Sequence, residues 1–227
     1  MNKIFHIYNR GVDKRNIFQE DKDRIRLVLD LFEFNSTETS EKNTKRRIED
    51  IDEENLKKER KGSPLVNILA FCLMPNHFHL MLQEIKKDGI QKFMQKIGIA
   101  YTMYFNIKYE RSGSLFQGTY KSAEVKKDAH LLHLPYYIHL NPLDLKFPEW
   151  RNGGVENPRK AMEYLSGYRW SSHLDYIGTP NFPLVTNRKF LMDFFNGPDK
   201  YEKEITNWLQ NPNANEIQSL YSKMSKI

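Results

Sequence analysis

The 227-residue chain is long enough to bury a full core, and its length suits one domain with embellishments. Its 39% hydrophobic and 13% aromatic residues are those of a folded globular protein. The formal net charge of +6 makes a polyanion a natural partner, although a merely soluble basic protein fits that charge as well. A single cysteine, Cys72, excludes an intramolecular disulfide and a cysteine-rich zinc site. The opening MNKIFHIYNRG reaches Arg-Gly before any long apolar stretch, unlike a signal peptide, and nothing approaches the roughly 18–20 apolar residues of a membrane span. A cytoplasmic protein with no membrane partner is expected.

In chain order, KIFHIYNRG (3–11) alternates apolar and polar residues and predicts a strand. DKDRIRLVLDLFEF (21–34) has the apolar spacing of an amphipathic helix. Residues 36–63 are charged with both signs and poor in apolar side chains, and they read as a surface insertion. PLVNILAFCLM (64–74) and HFHLMLQE (77–84) predict two strands, and the intervening Pro-Asn suits a tight turn between antiparallel partners. GIQKFMQKIGIAYTMYFNIKYE (89–110) predicts a long amphipathic helix, and 111–127 a short strand or hairpin. DAHLLHLPYYIHLNPLDL (128–145) predicts a helix capped by Asp128 and stopped near Pro142, with a kink or fresh start at Pro135. Beyond it, short helices and loops are expected. The order strand–helix–strand–strand–helix–strand is that of a ferredoxin-like α+β sandwich, an antiparallel sheet with both helices on one face. The other face would take ligand or be covered by the helix at 128–141. We expect one main domain over 1–178, which the family resemblance described below makes the catalytic one, and a C-terminal extension over 179–227.

Residues i and i+2 of a strand share a face, so His77 and His79 project together while Phe78 and Leu80 turn into the core. Two adjacent imidazoles are two legs of a divalent-metal site, although such a pair also occurs for structural reasons. On the helix at 128–141, Tyr137 and Asn141 are four apart and share a face. Asn141 offers a carbonyl oxygen suited to Mg²⁺ or Mn²⁺. Tyr137 offers a phenol whose free pKa, about 10, is too high for ready attack unless a cation polarises the target. The blander reading is an aromatic helix end capped by Asn141.

HIYNRG, AFCLMPNHFHLML, GSLFQGTYKS, YYIHLNP and YRWSSHLDYIG, in this order and spacing, resemble the single-tyrosine transposases of the insertion-sequence-200-like and REP-associated kind, over residues 3–178 apart from the insertion. The resemblance implies that His77 and His79, the ends of a His-hydrophobe-His motif, bind a divalent metal, Mg²⁺ or Mn²⁺, with help from Asn141. It implies that Tyr137 is the nucleophile. Family members nick single-stranded DNA, often near a hairpin, through a 5′-phosphotyrosine linkage and a released 3′-OH. No nucleotide cofactor is implied, and both monomers and homodimers are known in the family. Arg10, Lys14, Arg15, Tyr120 and Lys121 are the foremost candidates for DNA contact, with Arg111, Lys126, Lys127 and Trp170 behind them. His6 is a candidate for lining the same face. Rival readings are a domesticated nickase that moves nothing, a replication-initiator nickase, and a hairpin-DNA-binding protein without catalysis.

Overall fold

The structure is a computed structural model in which residues 3–38, 62–126 and 128–210 are described; most of the charged insertion (39–61), Lys127 and the tail from 211 lie outside these residues. Strand β1 (Ile4–Arg10), helix α1 (Asp21–Glu33), strands β2 (Val66–Met74) and β3 (His77–Glu84), helix α2 (Gly89–Lys108) and strand β4 (Lys121–Glu124) follow one another along the chain. The sheet order is β2-β3-β1-β4 with every neighbouring pair antiparallel, which is the ferredoxin-like arrangement read from the sequence.

Local chemistry sets the element ends. Asp23 closes a capping box with Glu20 at the start of α1, satisfying backbone donors that the first helical turn leaves open. The β2–β3 connection is the two-residue turn Pro75–Asn76, whose Pro75 carbonyl accepts from Ile17 and Phe18 and so pins the segment after β1. Gly11 is required there: its amide reaches the Asn76 carbonyl at 2.9 Å, and a Cβ would collide with the Arg15 carbonyl oxygen.

Strand alternation then divides the protein into two cores. On one face Ile7, Phe71, Leu73, Phe78, Leu80 and Leu82 pack against Leu27 and Leu31 of α1 and Phe93, Ile97, Tyr101 and Phe105 of α2. On the other, Ile4, Ala70, Cys72, Met74 and Met81 meet helix α3 (Asp128–Leu140), which lies over β2 and β3. The helix runs through Pro135 without a fresh start, because packing on both its sides outweighs one lost backbone hydrogen bond.

A 3₁₀ turn (Asn141–Leu145) and helices α4 (Trp150–Gly153), α5 (Pro158–Gly167), α6 (His173–Tyr176), α7 (Lys189–Phe195) and α8 (Pro198–Gln210) complete the described chain. Tyr201, Ile205, Trp208 and Leu209 of α8 belong to the same apolar cluster as Tyr136, Tyr137 and Ile138, so the C-terminal helices back the outer side of α3. Residues 170–172 hydrogen-bond along β2, Leu73 donating to the Trp170 carbonyl at 2.8 Å. Among the described residues no helix is long and apolar enough to cross a membrane.

Candidate active site

The sheet register places Cys72, His79 and Tyr8 in one row and Met74, His77 and Arg10 in the next, all on the α3 side. Two residues along β1 from Tyr8, His6 points the same way. Its Nε2 lies 2.9 Å from Nδ1 of His79, and the two rings stack with centroids 5.1 Å apart. His77 stands edge-on to His79 at 5.0 Å, and its Nδ1 meets Asn76 Oδ1 at 2.6 Å. The amide oxygen only accepts, so His77 Nδ1 carries the proton and its Nε2 keeps a lone pair. Nε2 of His79 is buried with no hydrogen-bond partner. Both strand histidines thus engage Nδ1 with protein and leave Nε2 for a ligand.

Burial holds these imidazoles uncharged. It lowers His6 to about 3 and, with the nearby Arg10 and Arg151 charges adding, His77 to about 4. His79 falls well below its ordinary value, through burial first and then through His77 and His6. Near neutral pH the three are therefore neutral, the form that coordinates metals.

Helix α3 brings Tyr137 over this trio. Its ring is buried and stands edge-on to His79 at 5.4 Å and to His6 at 5.8 Å. One turn later, Asn141 donates from Nδ2 to the Tyr137 carbonyl at 2.7 Å and accepts at Oδ1 from Arg151 Nη2 at 3.1 Å. Arg151 also grips Asp144 in a two-pronged ion pair, Nε to Oδ1 at 2.7 Å and Nη2 to Oδ2 at 2.6 Å. Its guanidinium carbon lies 5.4 Å from the Tyr137 ring centroid. Burial pushes the Tyr137 phenol up, and Arg151 works against that.

Among the described residues no three His, Cys, Asp or Glu side chains form a metal-holding group. A divalent cation on the two Nε2 atoms would draw further ligands from Asn141 Oδ1, which has a second lone pair, and from oxygens of a bound phosphate. The paired, neutral, Nδ1-anchored histidines fit such an ion.

The sequence-derived candidates distribute unevenly. Tyr137 meets His79 and His6, His77 adjoins His79, and Asn141 is tied to the Tyr137 carbonyl and to Arg151. Arg10 ends β1 opposite His77, with Lys14 and Arg15 just beyond it. Lys121 opposite Tyr8 is exposed on the edge strand, level with His79. Tyr120 packs half-buried on the α2 side, and is thereby separated from the histidine face. Trp170 is 7% exposed and covered by Arg24 and Arg169, so its ring offers no open stacking surface. Arg111 lies over Phe105, and Lys126 reaches Glu124 at 4.0 Å. Tyr136 faces away and donates to Glu204 Oε2 at 2.6 Å. His139 is fixed at both nitrogens, by Tyr201 Oη and Ser172 Oγ, each at 2.6 Å. Arg151 and Asp144 were not foreseen: Asp144 stands just past a helix-ending proline, and no periodicity carries Arg151 back to Tyr137.

Residues 37–141 match the family described as "Transposase IS200 like". Among solved structures, one titled "Structure of the REP associates tyrosine transposase bound to a REP hairpin" is similar at 11% identity and a TM-score of 0.48, covering 81% of this chain and 84% of that one. No curated protein matches. The matched segment contains His77, His79, Tyr137 and Asn141, and over residues 37–141 this chain carries the sequence pattern of the IS200-like transposases.

Proposed function

We propose that the protein is a metal-dependent single-tyrosine transposase or nickase acting on single-stranded DNA, with Tyr137 as nucleophile. The single observation that carries this reading is the seating of the Tyr137 ring against His79 and His6, beside a buried His79 Nε2 with no hydrogen-bond partner. A phenol buried for packing alone would have no need of a neutral histidine trio under it.

In this reading His77, His79 and Asn141 hold Mg²⁺ or Mn²⁺, which when bound polarises the scissile phosphate and offsets developing negative charge. The residues supply the rest. Asn76 and His6 fix the two histidine rings, and α3 presents Tyr137 Oη to the phosphorus. Attack forms an O–P bond to tyrosine and breaks the P–O3′ bond; the phenolic proton is lost and the 3′-oxygen leaves as a hydroxyl. The phosphotyrosine keeps the energy of the broken diester, so a second 3′-OH can attack it and restore Tyr137 without a nucleotide cofactor. Arg10, Lys14, Arg15 and Lys121 line the approaches with positive charge suited to a DNA backbone. Hairpin-flanked sites are the proposed targets.

The test is incubation with single-stranded DNA from the flanks of the protein's own gene, with Mg²⁺ or Mn²⁺. A denaturant-resistant protein–DNA band that disappears with EDTA and in Tyr137→Phe is expected. Hairpin binding without any band, across both metals and several flanking strands, would instead favour a catalytically silent binder.

A further inference from the structure

The guanidinium of Arg151 lies over the ring of the tyrosine. Arg151 sits ten residues past Asn141, on α4, and only 25% of its side chain is exposed. Burying a guanidinium is costly unless its donors are used, and here the use is specific. The Nε and Nη2 edge is fixed by Asp144, Nη2 also holds Asn141 Oδ1, and the guanidinium carbon lies 5.4 Å from the centroid of the Tyr137 ring. Asp144 thus aims the cation, Asn141 ties it to the helix turn below Tyr137, and the Tyr137 ring lies against it.

We propose that Arg151 is a catalytic residue, the cation that holds the Tyr137 oxygen as it gains negative character and attacks phosphorus. This rests on the transposase reading above. The attacking oxygen moves from neutral phenol toward phenolate before its bond to phosphorus is complete, and a fixed guanidinium stabilises that charge more than it stabilises the resting phenol. In the reverse step, when a 3′-OH displaces the tyrosine, the same guanidinium stabilises the departing phenolate. Arginine suits the role because it stays charged at every working pH and its planar group can be fixed along one edge by Asp144 while another edge serves the phenol.

The experiment compares Arg151→Ala and Arg151→Lys with the wild-type chain in single-turnover formation of the protein–DNA adduct. Melting temperature and single-stranded DNA binding are followed in parallel, and methylguanidinium is added back to Arg151→Ala. Loss of one fixed donor at a developing oxyanion typically costs about 10²–10³-fold, so a fall of that size is expected in Arg151→Ala, with DNA binding within about threefold of wild type. Arg151→Lys should retain more activity than Arg151→Ala, and millimolar methylguanidinium should recover part of the lost rate. Wild-type rates in Arg151→Ala would overturn the role. So would a loss that follows the melting temperature and that neither lysine nor methylguanidinium repairs, which would make Arg151 a structural clamp. No adduct from the wild-type chain would remove the transposase reading itself, and the wild-type lane distinguishes that failure from the others.

Discussion

The two faces of the sheet are built from the same four strands and bury side chains equally well, yet they differ in kind. The face under α1 and α2 is apolar from strand to strand, whereas all seven histidines of the chain lie on the other side: one on β1, two on β3, three on α3 and one on α6. On that second side His6, His79, His139 and His173 are fully buried, and atoms of His6, His79 and His173 lack hydrogen-bond partners. Unsatisfied buried polar atoms cost stability. The first face therefore holds the fold together, and the second accepts a penalty for presenting imidazoles to a phenol.

If this division is right, acid should attack the second face first. Burial lowers His6 to about 3 and His77 and His173 to about 4, and sends His79 and His139 well below their ordinary values. An unfolded histidine titrates near 6.5, so between these values the unfolded chain binds more protons than the folded one. Stability from these groups is fully present above about pH 6.5 and is lost as pH falls toward 4. The urea midpoint should therefore drop steeply from pH 7.5 to pH 5, a larger change than any single substitution below produces. Equal midpoints would break the comparison.

Leu80, 1% exposed on the apolar face directly beside His79, is the matching control. Leu80→Ala should cost about 2–5 kcal/mol in urea unfolding, because it leaves a cavity in a packed layer. Its loss should be the same at pH 7.5 and pH 5. A loss confined to low pH would mean that the two faces are not separate.

The smallest effect on stability is expected where intuition places a large one. Replacing both His6 and His79 by Leu removes a hydrogen-bonded pair together, leaving neither partner stranded, and should change stability by no more than about 1 kcal/mol. The same variant should lose Mn²⁺ binding in titration calorimetry and should flatten the pH dependence. Substantial destabilisation at pH 7.5 would show that the histidines serve packing after all.

Much of this division is legible in the residues. Strict alternation in HFHLML sends Phe78, Leu80 and Leu82 one way and His77 and His79 the other. The Pro-Asn turn fixes β2 against β3, and the i, i+4 spacing of Tyr137 and Asn141 stacks them on one helix face. What escapes the sequence depends on contacts between distant segments. His6 meets His79 only because the sheet order places β1 beside β3 with a particular register. Arg151 reaches Tyr137 through a proline-started 3₁₀ turn and a four-residue helix, neither of which has a periodicity to read. Pro135 suggests an interruption that tertiary packing overrides. The support given to α3 by Tyr201 and Ser172, each hydrogen-bonded to His139, joins segments more than thirty residues apart in sequence.

The most direct measurement is the identity of the residue that carries the DNA. After reaction with Mg²⁺ or Mn²⁺, the adduct is digested with nuclease and protease and the nucleotide-bearing peptide is sequenced by mass spectrometry. Our account predicts a nucleotide on Tyr137, absent from Tyr137→Phe and from EDTA-treated samples. A nucleotide on Tyr136, Tyr120 or any other side chain would contradict it.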